Sequence, residues 1–138
     1  MGNEEIFRRF YEGAWSRGDV AAVDRFLDEN FVNHEIPDVS GSHREAYRRA
    51  IEETYAAFPD WRTEIKDLIS SNGKVAARWR SLGTHTGKLS DLRPTGTRVQ
   101  TQGITIVHVA NGRITDFWKT DNAHTVPQQL QATSEPPD

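Results

Sequence analysis

Cysteine is absent from this chain of 138 residues. That excludes disulfides, thiolate metal sites and a cysteine nucleophile. No stretch approaches the ~18 apolar residues of a membrane-spanning helix. The opening MGNEEIFRRF lacks the basic and then apolar regions of a signal peptide, and Gly2 lacks the nearby Ser or Thr of a myristoylation motif. His34, His43, His85, His108 and His124 show neither HxxxH nor HExxH spacing, so no metal is expected. GxSxG, P-loop and GxGxxG signatures are missing as well, and no cofactor is expected. A large excess of charge is also lacking: 17 basic against 20 acidic residues leave −3, which argues against a nucleic-acid partner. These absences point to a soluble, cytoplasmic protein that engages neither nucleic acid nor membrane.

The length suits one domain with a real core, and no internal repeat or long linker divides it. Residues 1–131 are read as that domain. The terminal ATSEPPD, residues 132–138, is polar and proline-rich and is expected to be unordered. Asn3 can cap a first helix, on which Ile6, Phe7, Phe10, Tyr11, Ala14 and Trp15 share one face. Gly18 ends it, and Asp19 can cap a short second helix carrying Val20, Val23, Phe26 and Leu27. Phe31–His34 reads as a short extended piece stopped by Pro37. Ser42 and Glu45 form a capping box for a third helix, with Tyr47, Ala50, Ile51, Thr54, Tyr55 and Phe58 inward. After Pro59 the period becomes strand-like. Residues 62–69 and 74–86 flank an Asn72-Gly73 turn, and the odd positions Val75, Ala77, Trp79, Ser81, Gly83 and His85 should face the helices.

The last β-rich stretch, residues 99–122, carries the chemistry. Asn111-Gly112 between two β-rich runs is a strong hairpin signal, because both turn residues need φ > 0. An unbroken register from that turn pairs Val107 with Asp116, Thr105 with Trp118 and Thr101 with Asn122. One face then carries Thr101, Thr105, Val107, Ile114, Asp116, Trp118 and Asn122. The other carries Ile104, Ile106, His108, Phe117, Lys119 and Asp121. The Trp118 face is expected to line a pocket and the Ile104/Ile106/Phe117 face to meet a partner. In this register Asp121 faces away from the pocket unless a bulge near Lys119–Asn122 turns it inward. His108 and Asp121 would lie ~20 Å apart at ~3.3 Å per residue, too far for an acid–base pair. Helices followed by a meander make an α+β domain, here a cone-shaped barrel: helices on a curved, mostly antiparallel sheet around an internal pocket.

Candidate chemistry falls to carboxylates and imidazoles on the strands. Asp116, on one face with Trp118, could have its carboxyl tuned by a dry aromatic pocket. His34 could act as a base or orient a substrate, against the alternative of a hydrogen-bonded structural histidine. His85 is in phase with Trp79 and is expected at the pocket mouth. Trp15, Tyr55, Phe58, Trp61, Trp79 and Trp118 are core candidates that would also suit a planar aromatic ligand.

Three segments, FYEGAWSRGDVAAVDRFLDENFVNHEIP, FPDWRTEIKDLISSNGKVAARWRSLGTHTG and PTGTRVQTQGITIVHVANGRITDFWKTD, together resemble the SnoaL-like polyketide cyclases of the nuclear transport factor 2-like superfamily. The resemblance implies the cone-shaped fold, a hydrophobic cavity and a homodimer or tetramer through the outer sheet face. It also implies an aldol ring closure without metal or cofactor, driven by an aspartate near the end of the last strand. The family pattern sets that Asp four residues after the Trp, which is Asn122 here, with Asp121 one place early. His34 matches the histidine of the family's FVxH run, and His85 that of GTHTG. On this reading Asp121 and His34 are the catalytic candidates. Trp118, Asn122, Asp116, Trp79, His85, Trp15 and Phe58 would contact a hydrophobic ketide-like or polycyclic molecule. The alternatives are a hydroxylase or epoxide-opening enzyme, with Asp116 and Arg78 or Arg80 as its parts, and a non-catalytic ligand-binding dimer.

Overall fold

The computed structural model describes residues 1–37 and 41–134. Helix α1 (Asn3–Ser16) carries its apolar stripe as Ile6, Phe7, Phe10, Tyr11 and Ala14, all buried. Helix α2 (Ala21–Phe26) runs directly into strand β1 (Leu27–Asn33), which starts earlier than the short extended piece expected. Helix α3 (His43–Ala57) begins where the Ser42 side chain accepts from the Glu45 backbone N–H, half of the capping box. Strands β2 (Arg62–Ser71), β3 (Lys74–Thr84), β4 (Arg98–Ala110) and β5 (Arg113–Asp121) form the meander. Asn72 and Asn111, with the glycines after them, adopt positive φ as such hairpin turns require.

The sheet order is β1-β5-β4-β3-β2, antiparallel except for the parallel β1–β5 pair. The helices cover one face. The odd positions of β3, Val75 to Gly83, are buried on that side, as their spacing predicts, and so is His85 just past the strand. A 3-10 turn at Ala123–Thr125 leads into helix α4 (Val126–Ser134), with Pro127 in its first turn, where a missing N–H is harmless. Residues 132–134, expected to be unordered, belong instead to the last turn of α4; 135–138, expected to be unordered as well, lie outside the described residues. The side-chain amide of Gln129 holds α4 to the free edge of β4, accepting from Gln100 N (2.9 Å) and donating to Gln100 O (2.8 Å). No helix among the described residues is long and apolar enough to cross a membrane.

The buried apolar residues form two groups. The larger joins α1, α2, β1, α3 and the sheet around Phe10, Tyr47, Val107 and Phe117. The smaller gathers Ala57, Phe58, Val99 and Leu130, with Trp61, Leu89 and Val126 against them. Each fully buried large side chain contributes about 1.5–3 kcal/mol. The space between the groups is where the site lies.

One residue decides what β5 presents to that space. Val109 pairs with Ile114, but His108 pairs with Asp116, so Thr115 is an extra residue in β5. Its hydroxyl donates to Asp116 Oδ2 (2.8 Å). Every residue after this bulge changes face relative to the unbroken register. Phe117, Lys119 and Asp121 oppose Val107, Thr105 and Gly103 on the inner face. Asp116, Trp118 and Thr120 oppose His108, Ile106 and Ile104 on the outer one. The expected face assignment is thereby corrected: Trp118 and Asp116 are outside, and Phe117 is inside. A bulge does turn Asp121 inward, but it lies at Thr115 and not near Lys119–Asn122.

Candidate active site

A cavity of about 520 Å³ separates the two apolar groups. That size suits a small organic molecule. Tyr11 and Trp15 of α1 line it, with Ala46, Tyr47, Ala50 and Thr54 of α3. Phe58 and Trp61 close one end beside Ala123 and Val126. The sheet supplies Thr63, Trp79, Ser81, Thr101, Phe117, Lys119 and Asp121, and Asn33, Ile36 and Pro37 complete the lining.

Asp121 is the single carboxylate among the described lining residues. Its side chain is 15% exposed. Oδ1 accepts the backbone N–H of Ala123 (2.9 Å), and Oδ2 lies 3.2 Å from Lys119 Nζ. Gly103, directly across the ladder, makes this position possible. A Cβ there would stand 2.7 Å from Asp121 Cβ, 2.8 Å from Trp79 Cζ2 and 2.4 Å from the Thr120 carbonyl oxygen.

Beside the carboxylate is a buried hydrogen-bond relay. Trp79 Nε1–H donates to Thr105 Oγ1 (2.9 Å), which also shares a hydrogen bond with the Tyr11 hydroxyl (2.8 Å). Burial raises the Tyr11 phenol far above its ordinary range, and the nearby Asp121 charge adds to the rise, so Tyr11 stays a neutral hydroxyl. Trp15 Nε1–H donates to the Tyr47 hydroxyl (2.7 Å), which burial likewise holds protonated. Thr63 and Ser81 hydroxyls bond each other at 2.6 Å. The cavity is thus an aromatic chamber with one carboxylate, one ammonium and several neutral hydroxyls.

The sequence candidates do not all meet in one place. Asp121, Trp15, Phe58 and Trp79 line the cavity. His34, Asp116 and Trp118 meet instead on the outer side of the sheet, with His108. There His34 Nε2 lies 2.9 Å from Asp116 Oδ1, the His34 ring stacks on Trp118 at 4.4 Å, and His108 tilts onto the same indole at 4.7 Å. The hydrogen bond to His34 is the main cause holding the Asp116 carboxyl below its ordinary value, with Thr115 assisting. None of His34, Asp116 and Trp118 lines the cavity that Asp121 lines. Asn122 is spent on the β4 edge, its Oδ1 accepting from Gln102 N (2.8 Å).

His85 is not at the cavity mouth. It is fully buried behind Phe58, ring centroids 5.5 Å apart, and does not line the cavity. Its Nδ1 accepts the Thr95 N–H (3.2 Å), and its Nε2 has no hydrogen-bond partner among the described residues. His85 thus ties down the loop between β3 and β4. Arg78 and Arg80 do not line the cavity; they line a second hollow with Lys66, which Trp79, Gly103 and Asp121 also border, and pair with Asp67 (2.6 Å) and Glu64 (3.2 Å).

Sequence reasoning passed over Lys119, Tyr11 as a polar group and the Thr63–Ser81 pair, whereas Thr101 lies on the face expected to line the pocket and does line it. Lys119 was hidden by the unbroken register. The available signal was Gly103, a glycine inside a strand, which marks a bulge or a close approach. Among the described residues no group of three or more His, Cys, Asp or Glu could hold a metal ion.

A model of the SnoaL-like polyketide cyclases matches residues 5–130. No curated protein matches the chain. Among solved structures, a candidate polyketide cyclase from Bacillus cereus is 29% identical, with a TM-score of 0.77 over 91% of this chain and 78% of that one. IdmH from Streptomyces antibioticus, a candidate polyketide cyclase, is 24% identical, with a TM-score of 0.78 over 92% and 96%. AclR from Streptomyces galilaeus, a candidate hydroxylase, is 22% identical, with a TM-score of 0.81 over 97% and 83%. The last two likenesses speak to fold alone.

Proposed function

We propose a function from one premise: the chain belongs to the SnoaL-like polyketide cyclase family, whose model spans residues 5–130. On our reading it is a cofactor-independent enzyme that closes or isomerises a hydrophobic ketide-like or polycyclic molecule by proton transfer. The observation that carries the reading is the Asp121 carboxylate, largely buried at the wall of a chamber lined by Trp15, Phe58, Trp61 and Trp79. Asp121 removes a proton from the carbon beside a carbonyl. The C–H bond breaks, its electron pair moves onto the carbonyl oxygen, and the proton forms an O–H bond on Asp121. The enolate carbon then attacks a second carbonyl of the same molecule, and Asp121 returns the proton to the new alkoxide. The aromatic walls keep water away and hold the chain folded on itself.

The test is Asp121→Asn against wild type, reading α-deuterium uptake into a cyclic β-diketone or polyketone by NMR. Loss of a positioned base costs ~10²–10⁴-fold. Equal exchange in both proteins removes Asp121 from the mechanism. Epoxide opening gains no support, since Arg78 and Arg80 are paired outside the cavity and Asp116 bonds His34 on the outer face. For a partner we propose a second copy of this chain. The outer sheet face leaves Ile104 46%, Ile106 41% and Val32 37% exposed around Trp118, an apolar patch of the kind that marks an interface. Sedimentation should show a dimer that Ile106→Glu converts to monomer; a monomeric wild type would refute this.

A further inference from the structure

We infer that Lys119 is a second catalytic residue, the group that takes the enolate oxygen, and that the cavity therefore selects ligands whose reacting oxygen can become anionic. This rests on the reading of Asp121 as the base. Lys119 is the single cation among the described residues lining the cavity, as Asp121 is the single anion. The Thr115 bulge sets them two positions apart on the inner face of β5, opposite Thr105 and Gly103. Lys119 Nζ rests 3.2 Å from Asp121 Oδ2, and its side chain, 39% exposed, keeps the freedom to swing along the rim. Its backbone is fixed from outside the cavity, the N–H donating to Glu35 Oε1 (3.2 Å).

Charge conservation during the proton transfer gives the pair its role. Before transfer, the negative charge is on Asp121, and Lys119 neutralises it. After transfer, Asp121 is a neutral acid and the charge sits on the substrate oxygen. Lys119 has lost its partner at that moment, and the newly formed anion is the group it can take in exchange. The net charge of the chamber stays the same throughout, which an apolar-walled site favours strongly. The hydroxyls nearby carry no charge: Tyr11 shares a hydrogen bond with Thr105, and Thr63 and Ser81 share one with each other. An ammonium has three donors and carries a charge, and its partner Asp121 Oδ2 is held as an ion pair at 3.2 Å. His34 and Trp118, the donors that sequence alone suggests, are on the other side of the sheet.

The experiment uses 4-nitrophenol, whose phenolate is a planar, coloured mimic of an enolate, with Asp121→Asn as the background that imitates the protonated base. That protein should bind the phenolate and lower the phenol's apparent ionisation pH. Lys119→Met in the same background should weaken phenolate binding by ~10–100-fold, as expected for one hydrogen bond to a charged group. Lys119→Arg should recover part of it. Equal phenolate binding with Lys and Met at this position would overturn the assignment of Lys119 and leave the Asp121 reading standing. Failure of every folded variant to bind the phenol in either form would overturn both. Melting curves identify the folded variants.

Discussion

Gly103→Ala tests the geometry on which the site depends. Gly103 does not adopt positive φ, so the substitution imposes no backbone strain of that kind, and its cost is spatial. The new methyl would meet Thr120 O at 2.4 Å, Asp121 Cβ at 2.7 Å and Trp79 Cζ2 at 2.8 Å, where ordinary contacts lie at 3.4–4 Å. Two of these neighbours cannot rotate away: the Thr120 oxygen is backbone, and Asp121 Cβ moves only with β5. The β4–β5 ladder must therefore open locally. Overpacking of this kind costs up to about 3 kcal/mol. The smaller freedom of an unfolded alanine returns roughly 0.4–1 kcal/mol. The net is about 2 kcal/mol. With an unfolding entropy of about 2.1 cal/mol/K per residue, 138 residues give ~0.29 kcal/mol/K, and Tm should fall by about 7 °C. Thermal melting followed by circular dichroism measures it. On the proposed mechanism the same variant should lose most of its α-deuterium exchange, since the displaced atom is the Cβ of the proposed base. An unchanged Tm together with wild-type exchange would show that the strands spread freely, and that Gly103 does not set the position of Asp121.

Two further changes probe the relay and the buried phenols. Thr105→Val keeps the shape but leaves Trp79 Nε1–H and the Tyr11 hydroxyl without their partner. It should cost about 2–4 kcal/mol, read as a lower urea midpoint at constant slope; Thr105→Ser should cost about 1 kcal/mol. All three tyrosines of the chain, Tyr11, Tyr47 and Tyr55, have their phenols raised by burial, Tyr55 to about 12. The unfolded chain therefore loses phenol protons first, at about pH 10, and stability must fall as pH rises beyond that value. Tyrosinate absorbance should appear together with loss of the circular dichroism signal; a free titration near pH 10 with the fold intact would contradict the burial.

What the sequence made legible follows from the strength of its local signals. The α1 stripe, the Ser42–Glu45 cap, both Asn-Gly turns and the inward odd face of β3 each rest on a pattern repeated over several residues, and the structure has all of them. Helix α4 was missed because its anchoring is tertiary: Leu130 enters the smaller apolar group and Gln129 pairs with the edge of β4, neither of which gives a helical stripe. The faces of β5 were misread for another reason. Turn chemistry fixes a register only until the first inserted residue, and Thr115 is inserted two positions beyond Arg113. Both candidate faces mix apolar and polar residues, so hydrophobic pattern could not detect the slip.

The consequence of that single residue reaches both sides of the sheet. With Thr115 inserted, Lys119 and Asp121 enter the chamber together, and Asp116 leaves it to bond His34 under Trp118. An unbroken ladder would do the reverse, burying the Trp118 indole in the space that a ligand needs. The carboxylate one place early in the family pattern is thus in phase with the bulge. Asn122, at the position where the pattern has its acid, caps the β4 edge through Gln102 instead. Position along the chain and position on the sheet part company at a bulge, and it is the ladder rather than the count that brings Asp121 inward.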